Sequence, residues 1–352
     1  MAETSFPAKT ETISKTVQDL IISGQELPQN YIYKGSDAAT LGASQPLGQI
    51  PIIDIGLLTS PSSSREELDK LRSALSFWGC FQAINHGMEL AFLDQVREVT
   101  KQFFALSPEK KQKYSRESGS IEGYGNDMII SEDQTLDWTD RLYLGISPED
   151  QRQLKLWPDD PSSFRETLHE YTAKLEVITQ VLLKAMAMSL NLEENCFLDM
   201  YGEQSTLFAR FNFYPPCPRP DQVIGVKPHA DGSAFTILLQ DKEVEGLQFQ
   251  KENQWYRVPI IPEALVINVG DQAEIMCNGI FKSPVHRVVT NLEKERISLA
   301  VFCIPNSYKE IEPVNGVVNE ARPRLYRTVK DYASIYFEYY QRGRRPIEAA
   351  II

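Results

Sequence analysis

The fold is decided by residues 207–240, LFARFNFYPPCPRPDQVIGVKPHADGSAFTILLQ, in which two apolar, aromatic-rich runs flank a proline-rich segment. The runs FARFNFY and AFTILLQ contain the β-branched and aromatic residues that strands favour, and PPCPRP between them favours a turn. Four more short runs follow: GLQFQ, ALVINVG, VHRVV and ISLAVFCI. Short strands separated by turns are typical of an antiparallel double sheet or barrel, so this half of the chain is predicted to be mainly β.

Flanking segments have the three- and four-residue apolar spacing of helices, most clearly in FRETLHEYTAKLEVITQVLLKAMAMSL. The predicted flanking elements are strands at Ile50–Ile55 and Gly79–Asn85, and helices at Thr16–Ile22, at Ser63–Trp78, over most of Ala91–Leu192 and at Val329–Gln341. These elements predict four regions: an N-terminal extension (1–50), a mostly helical region (51–200), a double-sheet core (201–310) and a C-terminal helical segment (311–352).

Composition limits the partners of this chain. Its 352 residues include 48 acidic and 36 basic side chains, for a formal net charge of −12 that opposes binding to nucleic acid or anionic lipid. No run approaches the roughly 20 apolar residues of a membrane helix, and the N-terminus lacks the apolar core of a secretory signal. The five cysteines are scattered and never spaced CxxC, which argues against disulfides and zinc knuckles. We expect a cytoplasmic monomer that acts on a small molecule, with no nucleic-acid or membrane partner.

A metal site is indicated by the histidines of the β-rich half. His229 and Asp231 are two residues apart, so in a strand their side chains project to one face. Taken alone, such a pair is more often a surface hydrogen bond. His286 favours a metal site over a surface hydrogen bond, because it lies far enough along the chain for a later strand to return beside the first. Two imidazoles and one carboxylate on one face of an octahedral ion leave three open positions, as in non-haem Fe(II) oxygenases.

A second pair of residues suits a dicarboxylate. Arg296 and Ser298 are again two apart, and a guanidinium with a hydroxyl can bind a carboxylate whose other end chelates the metal. The compound 2-oxoglutarate meets this requirement. Alone, Arg296 would be interpreted as a solvated charge beside Glu293 and Glu295.

Further motifs extend this pattern over residues 50–340. They are PIIDIG at Pro51, WGCFQAINHG at Trp78, EGYG at Glu122, LDWTD at Leu136, NFYPPCPRP at Asn212, HAD at His229, EGLQ at Glu245, NVGD at Asn268, NG at Asn278, HRVV at His286 and RIS at Arg296. With them the chain resembles the plant 2-oxoglutarate- and Fe(II)-dependent dioxygenases. It is most similar to the senescence-related-gene-like clade that contains the opiate O-demethylases, and more distantly to anthocyanidin synthase.

The resemblance implies a mainly β fold with flanking α-helices, in which a distorted double-stranded β-helix, or jelly roll, carries the site. The implied site residues are the iron ligands His229, Asp231 and His286, the co-substrate residues Arg296, Ser298, Tyr214 and Asn212, and the pocket aromatics Phe302 and Tyr143. The implied cofactors are Fe(II), 2-oxoglutarate, O2 and ascorbate as reductant.

The implied activity is hydroxylation, O-demethylation, desaturation or ring closure of a plant specialised metabolite, with 2-oxoglutarate converted to succinate and CO2. The chain departs from relatives at two positions. Ala230 stands where many have Ser or Thr. Ile304 stands where the anthocyanidin-synthase pattern has a glutamate that binds flavonoid hydroxyls, which favours a more apolar substrate.

Two alternatives stay open at this point. One is an oxidase in which the Arg-x-Ser pair binds a different carboxylate and no 2-oxoglutarate is used. The other is a non-catalytic binding protein on the same barrel, although such a protein has no need of open metal positions.

Three other polar residues have structural interpretations. His86 is predicted to be packed and hydrogen-bonded, and His169 to lie on a helix surface. Arg141, a charge in an apolar run, is expected either to meet an anionic substrate group or to pair with Asp137 or Asp140.

Overall fold

A computed structural model describes residues 15–60, 64–127, 134–341 and 344–352. The first 14 residues of the predicted extension therefore lie outside the described parts. The helices are α1 (Val17–Ile22), α2 (Ile55–Leu58), α3 (Ser64–Phe77), α4 (Leu90–Phe104), α5 (Pro108–Gln112), α6 (Phe164–Ser189), α7 (Cys196–Tyr201), α8 (Asp271–Met276) and α9 (Tyr332–Gln341). The strands are β1 (Ile52–Asp54), β2 (Cys80–Ile84), β3 (Gly123–Gly125), β4 (Asp140–Ser147), β5 (Thr206–Tyr214), β6 (Ile224–His229), β7 (Phe235–Gln240), β8 (Leu247–Lys251), β9 (Gln254–Arg257), β10 (Leu265–Val269), β11 (His286–Val289) and β12 (Arg296–Ile304).

The strands form two sheets. The major sheet has the order β1-β2-β10-β7-β12-β5-β4-β3, and the minor sheet has the order β6-β11-β8-β9. All strand pairs are antiparallel except β1 with β2. From β5 to β12, successive strands alternate between the major and minor sheets except at the β8–β9 pair, which lies within the minor sheet, as in the expected jelly roll.

Strand β12 shows how alternation separates the core from the site. Ile297, Leu299 and Val301 belong to the main apolar cluster, which also contains the inner faces of α3, α4 and α6. Ala300 and Phe302, on the opposite face of β12, pack in a second cluster between the two sheets. Because side chains alternate with a period of two, Arg296 and Ser298 face the interior of the jelly roll.

The predicted secondary structure is confirmed in most elements. Helix α3 covers 64–77 of the predicted 63–78, of which residue 63 lies outside the described residues, and α9 begins three residues after its predicted start. Asp54 caps α2, since its carboxylate accepts a hydrogen bond from the Leu57 amide.

The prediction that helix dominates Ala91–Leu192 is wrong in its middle part. Strands β3 and β4 lie there, and β4 pairs along β5, with Asp140 opposite Phe213 and Leu144 opposite Ala209. Pairing with the adjacent long strand β5 satisfies the backbone hydrogen-bonding groups of this segment. The segment is therefore a strand, although the sequence on either side of it is helical. Part of the region 51–200 thus extends the major sheet.

The N-terminal extension packs on the outside of the jelly roll. Asp140 accepts hydrogen bonds from the amides of Val17 and Gln18, at 2.6 and 2.9 Å, and so holds the start of α1. Asp37 pairs with the buried Arg287 at 2.8 Å. Within the described parts of the chain, none of the helices combines the length and apolar character that crossing a bilayer requires.

Candidate metal and co-substrate site

Two histidines from neighbouring strands face each other between the sheets. His229 ends β6 and His286 begins β11, and the antiparallel register places them directly opposite each other. Their ring centroids are 4.2 Å apart with an interplanar angle of 52°. The pairing of two short strands therefore brings together imidazoles that are distant in sequence.

Asp231 completes the group. Its Oδ1 lies 3.5 Å from His229 Nε2 and 3.7 Å from His286 Nε2, and the three ligand atoms lie within 4.8 Å of one another. Its Oδ2 accepts hydrogen bonds from Thr236 Oγ1 at 2.6 Å and from Asn268 Nδ2 at 2.8 Å. One carboxylate oxygen is thus fixed by the major sheet, while the other faces the two imidazoles.

The outer nitrogen of each imidazole is also fixed. In the Nδ1–H tautomer, His229 donates to the Lys227 carbonyl at 2.8 Å and His286 donates to the Pro284 carbonyl at 3.2 Å. A backbone carbonyl at Nδ1 orients the ring and leaves the Nε2 lone pair free for a metal.

Electrostatics keep Asp231 and His286 in the protonation states that bind metal. Burial raises the pKa of Asp231, but His286 and His229 lower it by more, so this pKa falls well below its usual range. Burial, followed by the neighbouring His229, lowers the pKa of His286 to about 4. At neutral pH, Asp231 is a carboxylate and His286 a neutral imidazole.

Arg296 presents an unpaired guanidinium to the same interior. The residue is 2% exposed, and within the described structure its Nε and Nη1 atoms have no hydrogen-bond partner. Its guanidinium carbon lies 5.1 Å from the centroid of the Tyr214 ring. A Cβ at Gly246 would lie 2.9 Å from Arg296 Cδ, so the glycine of the EGLQ motif makes room for this side chain. Buried, unpaired donors of this kind are suited to an anionic ligand.

The other predicted co-substrate residues surround Arg296. The register of β12 and β5 pairs Arg296 with Tyr214, and Ser298 with Asn212. Asn212 Nδ2 donates to Ser298 Oγ at 3.3 Å. The structure therefore brings all four predicted residues together on two adjacent strands.

Aromatic rings form one side of the interior. Phe302 stacks with Tyr143 at 6.1 Å between centroids, and Tyr143 lies 5.5 Å from Phe208. The two predicted pocket aromatics are thus in contact. Phe208 was not predicted, although it lies on β5 directly opposite Phe302 on β12.

Helix α9 contributes two aromatic residues that the sequence interpretation missed. The Tyr340 ring lies 6.0 Å from the His229 ring, and Tyr336 stacks on Tyr340 at 5.7 Å. A Cβ at Gly232 would lie 2.5 Å from Tyr336 Cδ2, so the glycine after Asp231 permits this approach. The sequence signal was weak, because α9 is aromatic on several sides.

Arg141 is paired differently from the prediction. Its Nε donates to Asp127 Oδ1 at 2.7 Å, whereas Asp137 binds Lys227 at 3.1 Å and Asp140 binds the amides of α1. The predicted pairing with Asp137 or Asp140 is therefore wrong. The partner comes from the segment before β4, a tertiary contact that sequence spacing does not show.

The two remaining histidines have the predicted structural roles. His86 is 7% exposed, and its Nε2 lies 2.9 Å from the Glu263 carbonyl. His169 lies on α6 with its side chain 57% exposed. Both are separate from the His229–His286 pair.

Comparison with known proteins agrees with this geometry. Residues 204–305 match the 2OG-Fe(II) oxygenase superfamily, and residues 50–160 match the family described as non-haem dioxygenase in morphine synthesis N-terminal. The chain is 41% identical to lateral branching oxidoreductase 1 of Arabidopsis thaliana, over 96% of this chain and 95% of that protein. It is 40% identical to codeine O-demethylase of Papaver somniferum, over 89% and 88%.

Among solved structures, the chain is similar to JOX2 in complex with 2OG, Fe and JA. The TM-score is 0.85, with 32% sequence identity over 97% of this chain and 98% of JOX2. This similarity covers both sheets and the flanking helices, and it confirms the expected jelly roll. The chain belongs to the 2OG-Fe(II) oxygenase superfamily and is an Fe(II)- and 2-oxoglutarate-dependent dioxygenase.

Proposed function

We propose that this dioxygenase binds Fe(II) through His229, Asp231 and His286 and oxidises a small, largely apolar plant specialised metabolite. One observation carries the proposal: the three ligand atoms lie within 4.8 Å of one another, and the same interior holds a buried guanidinium whose Nε and Nη1 have no hydrogen-bond partner among the described residues. A metal with open positions and a waiting carboxylate site are the two requirements of 2-oxoglutarate chemistry.

The donor set fits Fe(II). Two imidazole nitrogens and one carboxylate oxygen form the 2-His-1-carboxylate arrangement, and each ligand is oriented by a second hydrogen bond. When bound, iron and 2-oxoglutarate supply the oxidising power for attack on a C–H bond, with ascorbate as the proposed external reductant. The protein holds these groups and excludes water from the interior.

The co-substrate is held on β5 and β12. We assign Arg296 to the distal carboxylate of 2-oxoglutarate, since its buried donors would otherwise carry an unpaired charge. Ser298, Tyr214 and Asn212 are assigned to the same anion as neighbouring hydroxyl and amide groups. These residues would hold and orient the co-substrate when it is bound.

The substrate pocket is assigned to the aromatic side of the interior. Tyr143 and Phe302 stack on each other, and Ile304 follows Phe302 on the same face of β12, so an apolar body is favoured. Relatives include codeine O-demethylase and thebaine 6-O-demethylase of Papaver somniferum, at 40% and 37% identity. They support oxidation of a specialised metabolite, with hydroxylation, O-demethylation, desaturation or ring closure as the outcome.

We further propose that the protein acts as a cytoplasmic monomer, without nucleic-acid or membrane partners. The formal net charge of −12 supports this proposal, since it opposes binding to polyanions. A sedimentation measurement of the purified full chain tests the monomer.

The first test needs no substrate. Fe(II) and then 2-oxoglutarate are added to the metal-free protein under argon, and the visible spectrum is recorded. A weak charge-transfer band that is absent in Arg296→Ala supports the proposal. Bound iron without the band would favour the oxidase that uses no 2-oxoglutarate. Failure to bind iron would favour the non-catalytic binding protein.

A further inference from the structure

Arg210 is a second arginine that faces the interior, and the assignments above give it no role. It lies on β5 between Phe208 and Asn212, on the same alternating face as both. Strand pairing places it opposite Tyr143, one of the pocket aromatics. Its side chain is 16% exposed. A guanidinium at this position could recognise an acidic group on a substrate lying along the aromatic side.

Asp127 already forms a salt bridge with that guanidinium. Arg210 Nη1 and Nη2 donate to Asp127 Oδ1 and Oδ2, each at 2.9 Å, and Arg210 Nε donates to Asn212 Oδ1 at 2.8 Å. This is the two-point geometry in which an arginine would bind a substrate carboxylate. A substrate acid would therefore have to displace Asp127 from both nitrogens.

Asp127 is held firmly in place. Arg141 Nε donates to its Oδ1 at 2.7 Å, so two arginines share one carboxylate. Although burial raises the pKa of Asp127, Arg210 and Arg141 lower it by more, and this pKa lies far below its usual range. The carboxylate stays ionised and paired throughout the physiological pH range.

The nearby ammonium group of Lys227 also has a carboxylate partner. Lys227 Nζ lies 3.1 Å from Asp137 Oδ2 and 5.2 Å from the centroid of the Tyr340 ring. Lys227, Asp137 and Asp127 line one small recess. Each of the cations Arg141, Arg210 and Lys227 thus has a carboxylate partner within the described structure, whereas Arg296 does not.

We infer that Asp127 is a specificity-determining residue, which withholds Arg210 from substrates and so selects uncharged, apolar molecules over carboxylic acids. The inference rests on the proposed function, because it assigns the aromatic side of the interior to the substrate. It deepens that function by naming the class of molecule: an ester, ether, ketone or alcohol with an apolar body, and not the corresponding free acid.

The test compares an acid with its ester on the full chain. Protein loaded with Fe(II) and 2-oxoglutarate under argon is titrated with 4-phenylbutyrate and with methyl 4-phenylbutyrate, in a calorimeter. The wild type is expected to bind the ester at least about tenfold more tightly than the acid. Asp127→Asn keeps the shape of the side chain but frees Arg210, so the affinity for the acid should rise at least about tenfold. The ester affinity should change little.

A matched control removes a carboxylate from a comparable pair elsewhere. Asp221 pairs with Arg219 through two hydrogen bonds, at 3.2 and 3.1 Å, and both side chains are about half exposed. Asp221→Asn changes the net charge equally and should leave the ratio of acid to ester affinity unchanged.

A second variant keeps the test decisive if Asp127→Asn folds poorly. Arg210→Gln should leave the weak acid binding of the wild type unaltered, because this arginine does not bind the substrate. A loss of acid affinity in Arg210→Gln would overturn the inference. So would an unchanged acid-to-ester ratio in folded Asp127→Asn, or absence of ester binding by wild type that holds 2-oxoglutarate. Wild type that binds neither iron nor 2-oxoglutarate would overturn the proposed function as well.

Discussion

His229 and His286 are directly opposed residues of adjacent antiparallel strands, with ring centroids 4.2 Å apart. Each donates its Nδ1–H to the carbonyl of the residue two positions earlier, so both Nε2 atoms face the Oδ1 atom of Asp231. Strand register therefore determines the spacing of the proposed iron ligands.

Removal of one of these imidazoles should abolish iron binding. In His229→Ala, the affinity for Fe(II) should fall at least about 100-fold and turnover should stop, since changes to outer hydrogen bonds alone already cost 10–100-fold. Iron content after dialysis and succinate release measure the two effects, and circular dichroism checks that the variant is folded. The exposed His169→Ala is the control. Full iron content in His229→Ala would contradict the assignment.

Replacement of Arg296 should separate co-substrate binding from stability. Arg296→Met keeps most of the volume but removes the charge, so 2-oxoglutarate should bind at least about 100-fold more weakly. The melting temperature without 2-oxoglutarate should not fall, because the lost guanidinium is buried and its Nε and Nη1 are unpaired. Differential scanning fluorimetry with and without 2-oxoglutarate measures both. An equal rise in melting temperature on adding 2-oxoglutarate to both proteins would refute the anchor role.

The hydroxyl of Thr236 should matter for iron affinity although it is not a proposed ligand. It donates to Asp231 Oδ2 at 2.6 Å, and Thr236→Val removes that bond with little change in volume. We expect iron affinity to fall about 10–100-fold. Thr236→Ser should restore most of it. If the valine and serine variants bind iron equally well, the hydroxyl does not position Asp231.

The close approach at Gly232 should make this position intolerant of a methyl group. An added Cβ would lie 2.5 Å from Tyr336 Cδ2, so Gly232→Ala should displace α9 at a cost of about 1–3 kcal/mol. Urea unfolding measures the loss. The double variant Gly232→Ala, Tyr336→Ala should be destabilised by less than the sum of the single changes. Additive effects would show that the two side chains do not collide.

Asp140 should make stability depend on pH. Burial raises its pKa to about 7, against the lowering effect of the Gln18 and Val17 amides. The pKa of Asp140 in the folded protein exceeds its unfolded value of about 3.9. Its contribution to the free energy of unfolding is therefore fully present below pH 4 and is lost as the pH rises through 7. Melting temperatures of wild type and Asp140→Asn should diverge between pH 4 and 7. Parallel curves would rule out this titration.

The metal residues could be predicted because their signal is local. The i, i+2 spacing of His229 and Asp231, and of Arg296 and Ser298, follows from strand geometry alone. His286 followed as the other histidine of the β-rich half, and resemblance to a family then supplied Tyr214 and Asn212. Supporting residues such as Asn268 were visible only as parts of motifs, without a role.

What could not be predicted depends on tertiary contacts. Strand β4 is decided by its pairing with β5, and the partner of Arg141 is decided by where the chain before residue 128 passes. Tyr340 reaches His229 only because α9 folds back over the interior. The residue pattern within one segment does not indicate which distant segments will pack against it.

The proposed iron ligands and their supports belong to different sheets. His229 and His286 lie on the minor sheet, whereas Thr236 and Asn268, which hold Asp231, lie on the major sheet. A bound ion would therefore act as a cross-link between the two layers. Because iron would bind the folded protein and not the unfolded chain, it would stabilise the folded state by mass action. Iron should therefore slow amide hydrogen exchange in both sheets together. In this enzyme, iron binding and the association of the two sheets would be coupled in one equilibrium.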